Sequence, residues 1–191
     1  MPATLTPVSL RLTPEEYIDW EATQEERHEY IDGEVFAMSG ASRTHNDIAL
    51  NLAVALRLSF RGTECAVFGS DMRVQIEAGG RYTYPDLSAA CGALTFADAR
   101  ETTLTNPALV VEVLSPSTEA YDRGEKLAAF RTVPSIREIV LIRQDRRAVE
   151  VYRRDGGTRW TLEDLAEGTL ALASVGVDVG LDELYAGTPL T

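Results

Sequence analysis

Pro107-Ala108-Leu109-Val110-Val111-Glu112-Val113-Leu114-Ser115-Pro116-Ser117-Thr118 places one carboxylate inside an apolar run. Proline and a Ser-Pro loop bound the segment, so it reads as a strand covered on both faces, the kind found at the centre of a mixed α/β sheet. An ionised glutamate at such a position costs several kcal/mol unless it is paired or bound to metal. Glu112 is therefore either a functional carboxylate, or a strand-end residue that reaches water or pairs with an arginine.

Working outward from this strand, the next anomaly is Lys126, the one lysine among 18 basic residues. A chain that writes its other cations as Arg singles out a place where a compact ammonium suits better than a guanidinium fork. Asp122 lies four residues earlier, so an ordinary i,i+4 helix pair also accounts for this lysine. Upstream, Tyr84-Pro85-Asp86-Leu87-Ser88 puts a second carboxylate at the mouth of another apolar strand. Two carboxylates entering a sheet, followed by an amine, suit a divalent-metal hydrolytic site. Mg²⁺ or Mn²⁺ takes carboxylate and carbonyl oxygens and keeps several waters. A lysine beside it orients water and stabilises charge on phosphorus.

The remaining elements follow from local signals. Thr13-Pro14-Glu15-Glu16 has the form of a capping box with proline at the first helical position, opening a helix to about Trp20. Tyr30 to Met38 contains an Asp32-Gly33 turn between apolar runs, a hairpin signal. Ile48, Leu52, Ala55, Leu56 and Ser59 recur at helical spacing, and Gly62 stands where a C-terminal cap belongs. Short strands are expected at Ala66–Phe68, Met72–Ile76 and Tyr84–Cys91, then at Leu109–Leu114. A helix over Tyr121–Arg131 follows. Glu138–Arg143 and Ala148–Arg153 form a hairpin, and Leu181–Tyr185 a last helical turn. The order predicts an α/β (α+β) sandwich around one mixed sheet, residues 1–191 forming a single domain.

Bulk properties narrow the class. The 191 residues are 45% hydrophobic and 25% charged, as in an ordinary globular protein. No apolar stretch reaches the roughly 20 residues of a membrane span, and Met1-Pro2-Ala3-Thr4-Leu5 lacks the features of a signal peptide. A net charge of −12 argues against broad attraction to DNA or anionic membranes. A local arginine face drawn from Arg57, Arg61, Arg73, Arg81, Arg123 and Arg131 would still permit docking. Cys65 and Cys91 lack a C-x-x-C or His partner and read as two reduced core thiols of a cytoplasmic protein.

The chain resembles the Uma-two family of restriction-endonuclease-like proteins, a branch of the PD-(D/E)XK nuclease superfamily. The likeness spans roughly residues 13–142. It rests on Arg27-His28-Glu29-Tyr30-Ile31-Asp32-Gly33-Glu34-Val35, Ser39 to His45, Pro85-Asp86, Pro107 to Thr118, and Asp122-Arg123-Gly124-Glu125-Lys126-Leu127. It implies a restriction-endonuclease-like core, with C-terminal strands and a short helix over 143–191. Asp86, Glu112 and the backbone carbonyl of Val113 are implied metal ligands. The superfamily's usual lysine would fall at position 114, which is Leu here, so the resemblance assigns the amine role to Lys126. Glu34 is an additional candidate for the metal shell and His45 for the scissile phosphate or its leaving group. Either residue also suits an exposed position. Glu29 ranks behind Glu34, and His28 reads as surface. The expected reaction is Mg²⁺- or Mn²⁺-dependent hydrolysis of DNA phosphodiesters, with a homodimer as the plausible arrangement for cutting two strands. The alternatives are an inactive nuclease-fold module that binds a protein partner, and a metal-free carboxylate-pair hydrolase acting on a sugar.

Overall fold

The computed structural model describes residues 6–38, 40–77 and 80–190. Met1–Leu5 and Ser39 therefore lie outside the described residues. Two six-stranded sheets and a two-stranded hairpin replace the expected single sheet. The first sheet contains β1 (Thr6–Arg11), β2 (His28–Ile31), β3 (Glu34–Ala37), β5 (Arg73–Glu77), β6 (Arg81–Thr83) and β8 (Thr103–Leu104), in the order β1-β3-β2-β6-β5-β8. The second contains β4 (Cys65–Gly69), β7 (Leu87–Cys91), β9 (Leu109–Leu114), β10 (Glu138–Arg143), β11 (Val149–Arg154) and β12 (Trp160–Leu165), ordered β12-β11-β10-β9-β7-β4. β13 (Thr169–Leu172) and β14 (Val177–Gly180) form the hairpin.

Proline decides where the chain changes sheets. The expected strand Tyr84–Cys91 starts three residues later, as β7 of the second sheet, and Tyr84-Pro85-Asp86 instead connect it to β6 of the first. Pro85 has no amide hydrogen for a ladder, so pairing stops there and the chain crosses over. Asp86 is consequently held in the crossing, between the sheets.

β9 runs through the middle of the second sheet, parallel to β10 and antiparallel to β7. All six of its residues are buried. The two-residue period of a strand divides them. Leu109, Val111 and Val113 join a core with Ile48, Leu52 and Leu56 of α2 (Arg43–Ser59), Val177 and Val179 of β14, and Leu181 and Leu184 of α5 (Leu181–Leu184). Val110 and Leu114 face the other way, toward Leu127, Phe130, Ile136 and Ile139. Glu112 shares that second face. Each fully buried Leu or Ile is worth about 1.5–3 kcal/mol relative to exposure, so α2 is clamped through its apolar stripe. Asn51 reinforces this by donating to the carbonyls of Leu184 and Ala186 at 3.0 and 2.9 Å.

Over the Glu112 face lies a helical segment of three pieces: α3 (Glu119–Tyr121), a π-helical turn (Asp122–Lys126) and α4 (Leu127–Phe130). Gly124 sits in the wide turn, where its low helix propensity tolerates departure from α geometry. Asp122 and Lys126 are both buried. α1 (Pro14–Glu21) has the predicted capping box at Thr13 and Glu16. It packs Tyr17 against Tyr30 and Tyr82, with ring centroids 4.9 and 5.5 Å apart. The β2–β3 turn at Asp32-Gly33 has positive φ at both residues, 49° and 94°, as a tight hairpin requires.

The cysteine reading is corrected. Cys65 and Cys91 are directly opposed across β4 and β7 and form a disulfide. Sequence spacing does not reveal cross-strand register, which is what places the two thiols together. His28, read as surface, is also corrected: it is buried, with its backbone N–H donating to Glu21 Oε1 at 3.0 Å. Nor do the six arginines form one face. Arg73 is buried, while Arg123 pairs with Glu119 at 2.8 Å and Glu150 at 2.5 Å.

Candidate active site

Between the two sheets lies a cavity of about 370 Å³. Its polar floor and walls are Glu29, His45, Asp86, Glu112, Asp122 and Lys126. Each reaches it for a local reason. On β2, alternation sends Tyr30 into the tyrosine cluster and Glu29 to the opposite face. On β9 the same alternation sends Glu112 toward the helical segment. The proline crossing supplies Asp86, α2 supplies His45 from its first turn, and the π-helical turn brings in Asp122 and Lys126.

Lys126 is the hub. Its Nζ lies 2.8 Å from Glu29 Oε1 and 2.8 Å from Glu112 Oε1, but 3.8 Å from Asp122 Oδ1. The local i,i+4 partner is thus the most distant of the three. The ammonium points inward, with about 5% of its side chain exposed. Glu29 is further fixed by hydrogen bonds from Thr83 Oγ1 to Oε1 and from Tyr121 O–H to Oε2, the latter 3.0 Å long. Asp86 Oδ2 accepts from the Val113 backbone N–H at 2.7 Å and lies 3.1 Å from His45 Nε2. Two sub-sites result, one around the ammonium and one around the imidazole.

Burial shifts the protonation of Glu112 and Asp122. Glu112 is raised well above the ordinary glutamate value, chiefly by burial, which the Lys126 charge only partly offsets and which Asp122 and Asp86 reinforce. Asp122 is raised for the same leading reason. Lys126 is raised despite burial because Glu112, Glu29 and Asp122 surround it. The two directions are compatible: one ammonium serves several carboxylates, so it stays charged while an acid beside it holds a proton more readily. His45 is raised as well. Burial favours its neutral form, but Asp86, then Asp122 and the Val113 backbone, together outweigh that cost.

The donor set is compatible with a hard divalent cation. Glu112 Oε1 is buried, and among the described residues it meets only the Lys126 ammonium, 2.8 Å away. That leaves an acceptor lone pair open in a site otherwise rich in carboxylate oxygen. Among the described residues no three His, Cys, Asp or Glu side chains converge as a closed metal cage. Two carboxylates completed by a carbonyl and waters is the pattern Mg²⁺ accepts.

Asp86, Glu112, Lys126 and His45 therefore come together, with Val113 between the first two. Glu34 does not. Its carboxylate points away on β3, half exposed, and pairs with Arg11 at 2.5 Å. The hairpin's contribution is Glu29 instead. The signal for this was β2 periodicity: Tyr30 belongs with an apolar face, which puts its neighbour Glu29 on the other. Tyr121 and Thr83 carried no such signal, since only the folded chain brings them to Glu29. Leu114 packs with Leu127 and Ile139 in the apolar cluster, so no amine enters from that position.

The chain is similar in sequence and fold to known proteins. A family model, Uma2, described as "Putative restriction endonuclease", matches residues 14–182. Two uncharacterised proteins from Synechocystis sp. are similar. One is 37% identical over 179 residues, 93% of each chain, and the other is 36% identical over 154 residues, 81% of this chain and 87% of the relative. A crystal structure from Anabaena variabilis, described as "a putative nuclease belonging to DUF820", superposes with a TM-score of 0.72 at 17% identity. It covers 92% of this chain and 98% of that one. With its mixed α+β fold and a family match that spans most of its length, this chain belongs to the Uma2 family, the restriction-endonuclease-like group.

Proposed function

We propose that the protein is a metal-dependent endonuclease that hydrolyses DNA phosphodiester bonds. The observation that carries this reading is the convergence of Asp86, Glu112 and Lys126 on one cavity, with a buried carboxylate oxygen, Glu112 Oε1, that meets only the Lys126 ammonium among the described residues. Asp86, Glu112 and the Val113 carbonyl would hold Mg²⁺ or Mn²⁺. When bound, that cation would offset charge on the phosphoryl oxygens and make its water more acidic.

The side chains divide the remaining work. Lys126, kept charged by its acid neighbours, cannot accept a proton. It donates hydrogen bonds to a phosphoryl oxygen or to the attacking water. Glu29 and Asp122 hold that ammonium in place, and Tyr121 and Thr83 hold Glu29. The His45 Nε2–H, stabilised by Asp86, is suited to protonating the departing oxygen. A homodimer would present two such cavities to a duplex, and sedimentation of the purified protein checks it.

Supercoiled plasmid with Mn²⁺ tests the proposal. Nicking by the wild type, lost on chelation and lowered at least about 100-fold in Glu112→Ala, is the expected outcome. Equal residual nicking in Glu112→Ala and the wild type refutes it. No nicking by either protein, on any plasmid or single-stranded substrate, favours the partner-binding module, to which the strong net acidity also inclines.

A further inference from the structure

A second cavity, of about 250 Å³, lies behind the first and shares Tyr84 with it. We propose that this cavity binds a phosphate group through Arg73, Arg100 and Arg27. Arg73 is the central observation. Only about 4% of it is exposed, and no carboxylate pairs with it among the described residues. Its Nε donates to Thr103 Oγ1 at 2.9 Å and its Nη2 to Thr102 Oγ1 at 3.3 Å. Tyr17 also accepts a side-chain hydrogen bond from Arg73; a guanidinium has five N–H donors in a fixed fork, so donors remain for a ligand beyond these three contacts. The faces of Tyr17 and Tyr82, 5.5 and 5.7 Å away, support the cation without cancelling its charge.

A buried cation without an anion is costly. Oxyanion binding removes that cost, and the guanidinium fork matches phosphate geometry. Three acids also line the cavity, but each is occupied. Glu21 accepts from the His28 backbone and from Tyr84 O–H, both at 3.0 Å. Asp98 is wrapped by the Arg100 and Thr102 amides at 2.9 and 3.2 Å. Asp71 pairs with Arg27 Nε at 3.2 Å from a highly exposed position, where an incoming anion can replace it.

The phosphate is either free inorganic phosphate or part of a nucleic-acid strand whose neighbouring linkage occupies the first cavity. Only the second source rests on the nuclease reading; anion binding itself does not. Thermal unfolding and titration calorimetry with sodium phosphate, in EDTA and against chloride at matched ionic strength, read the site without turnover. Saturable stabilisation of the wild type is expected. Arg73→Lys and the exposed Arg100→Gln are each expected to weaken phosphate binding about 10-fold, while Glu112→Gln leaves it unchanged. Arg100→Gln keeps the test valid if the Arg73 variant does not fold. Stabilisation no greater than with chloride overturns the proposal, as does binding unaffected by Arg100→Gln or abolished by Glu112→Gln. A short single-stranded oligonucleotide that competes with phosphate, and loses affinity in Arg100→Gln, identifies the strand as source. Failure to compete while phosphate still binds identifies the free anion, and the site stands in both cases.

Discussion

Replacing Lys126 with methionine tests the electrostatic design of the first cavity. Methionine preserves most of the side-chain length and removes the charge. Glu29, Glu112 and Asp122 then remain buried around an apolar tip. Removing one partner of a buried ion pair costs about 3–5 kcal/mol. For a chain of this size each kcal/mol lowers Tm by about 2–4 °C, so a fall of about 6–20 °C is expected at pH 8. The penalty has a definite pH dependence. Glu112 and Asp122 already have raised values in the folded state, and loss of the ammonium raises them further. The folded variant therefore binds more protons than the unfolded chain, and its stability falls as pH rises. Between pH 8 and 5 the gap from the wild type narrows as the folded-state acids take up protons. Thermal unfolding by circular dichroism over that range measures it, and the Lys126→Met/Glu112→Gln double variant regains part of the loss. A drop of under about 2 °C at pH 8, or one that does not shrink toward pH 5, refutes the reasoning.

Other outcomes follow from the same geometry. Glu34→Gln leaves stability within about 0.5 kcal/mol and plasmid nicking unchanged, since its ion pair with Arg11 is exposed. A large activity loss there would restore Glu34 to the site. Tyr121→Phe removes the hydrogen bond to Glu29 Oε2 and lowers stability by about 1–2 kcal/mol in urea unfolding. Reducing the Cys65–Cys91 disulfide, which spans 26 positions, costs about 3–4 kcal/mol by the chain-entropy argument. Unfolding with and without dithiothreitol, beside thiol titration of the unfolded protein, measures that difference. Free thiols in the non-reduced sample would refute the pairing.

Local rules made several features readable in the chain itself. The capping box at Thr13, the Asp32-Gly33 turn, the apolar stripe of α2 and the buried strand Leu109–Leu114 each depend on neighbours a few residues apart. Glu112 stood out because a carboxylate contradicts its apolar surroundings, and Lys126 because it is a lone amine. Long-range pairing was not encoded that way. The sequence shows a proline at position 85, but not that the crossing it forces leads into a second sheet. Alternation along β2 favours Glu29 over Glu34 only once the tyrosine cluster shows which face is apolar. Cys65 and Cys91 meet because β4 and β7 pair in one register. Composition and short-range periodicity thus determined the strands, the helices and the suspect charges. Only the tertiary structure decided which charges share a cavity, because that depends on how separate strands are brought side by side.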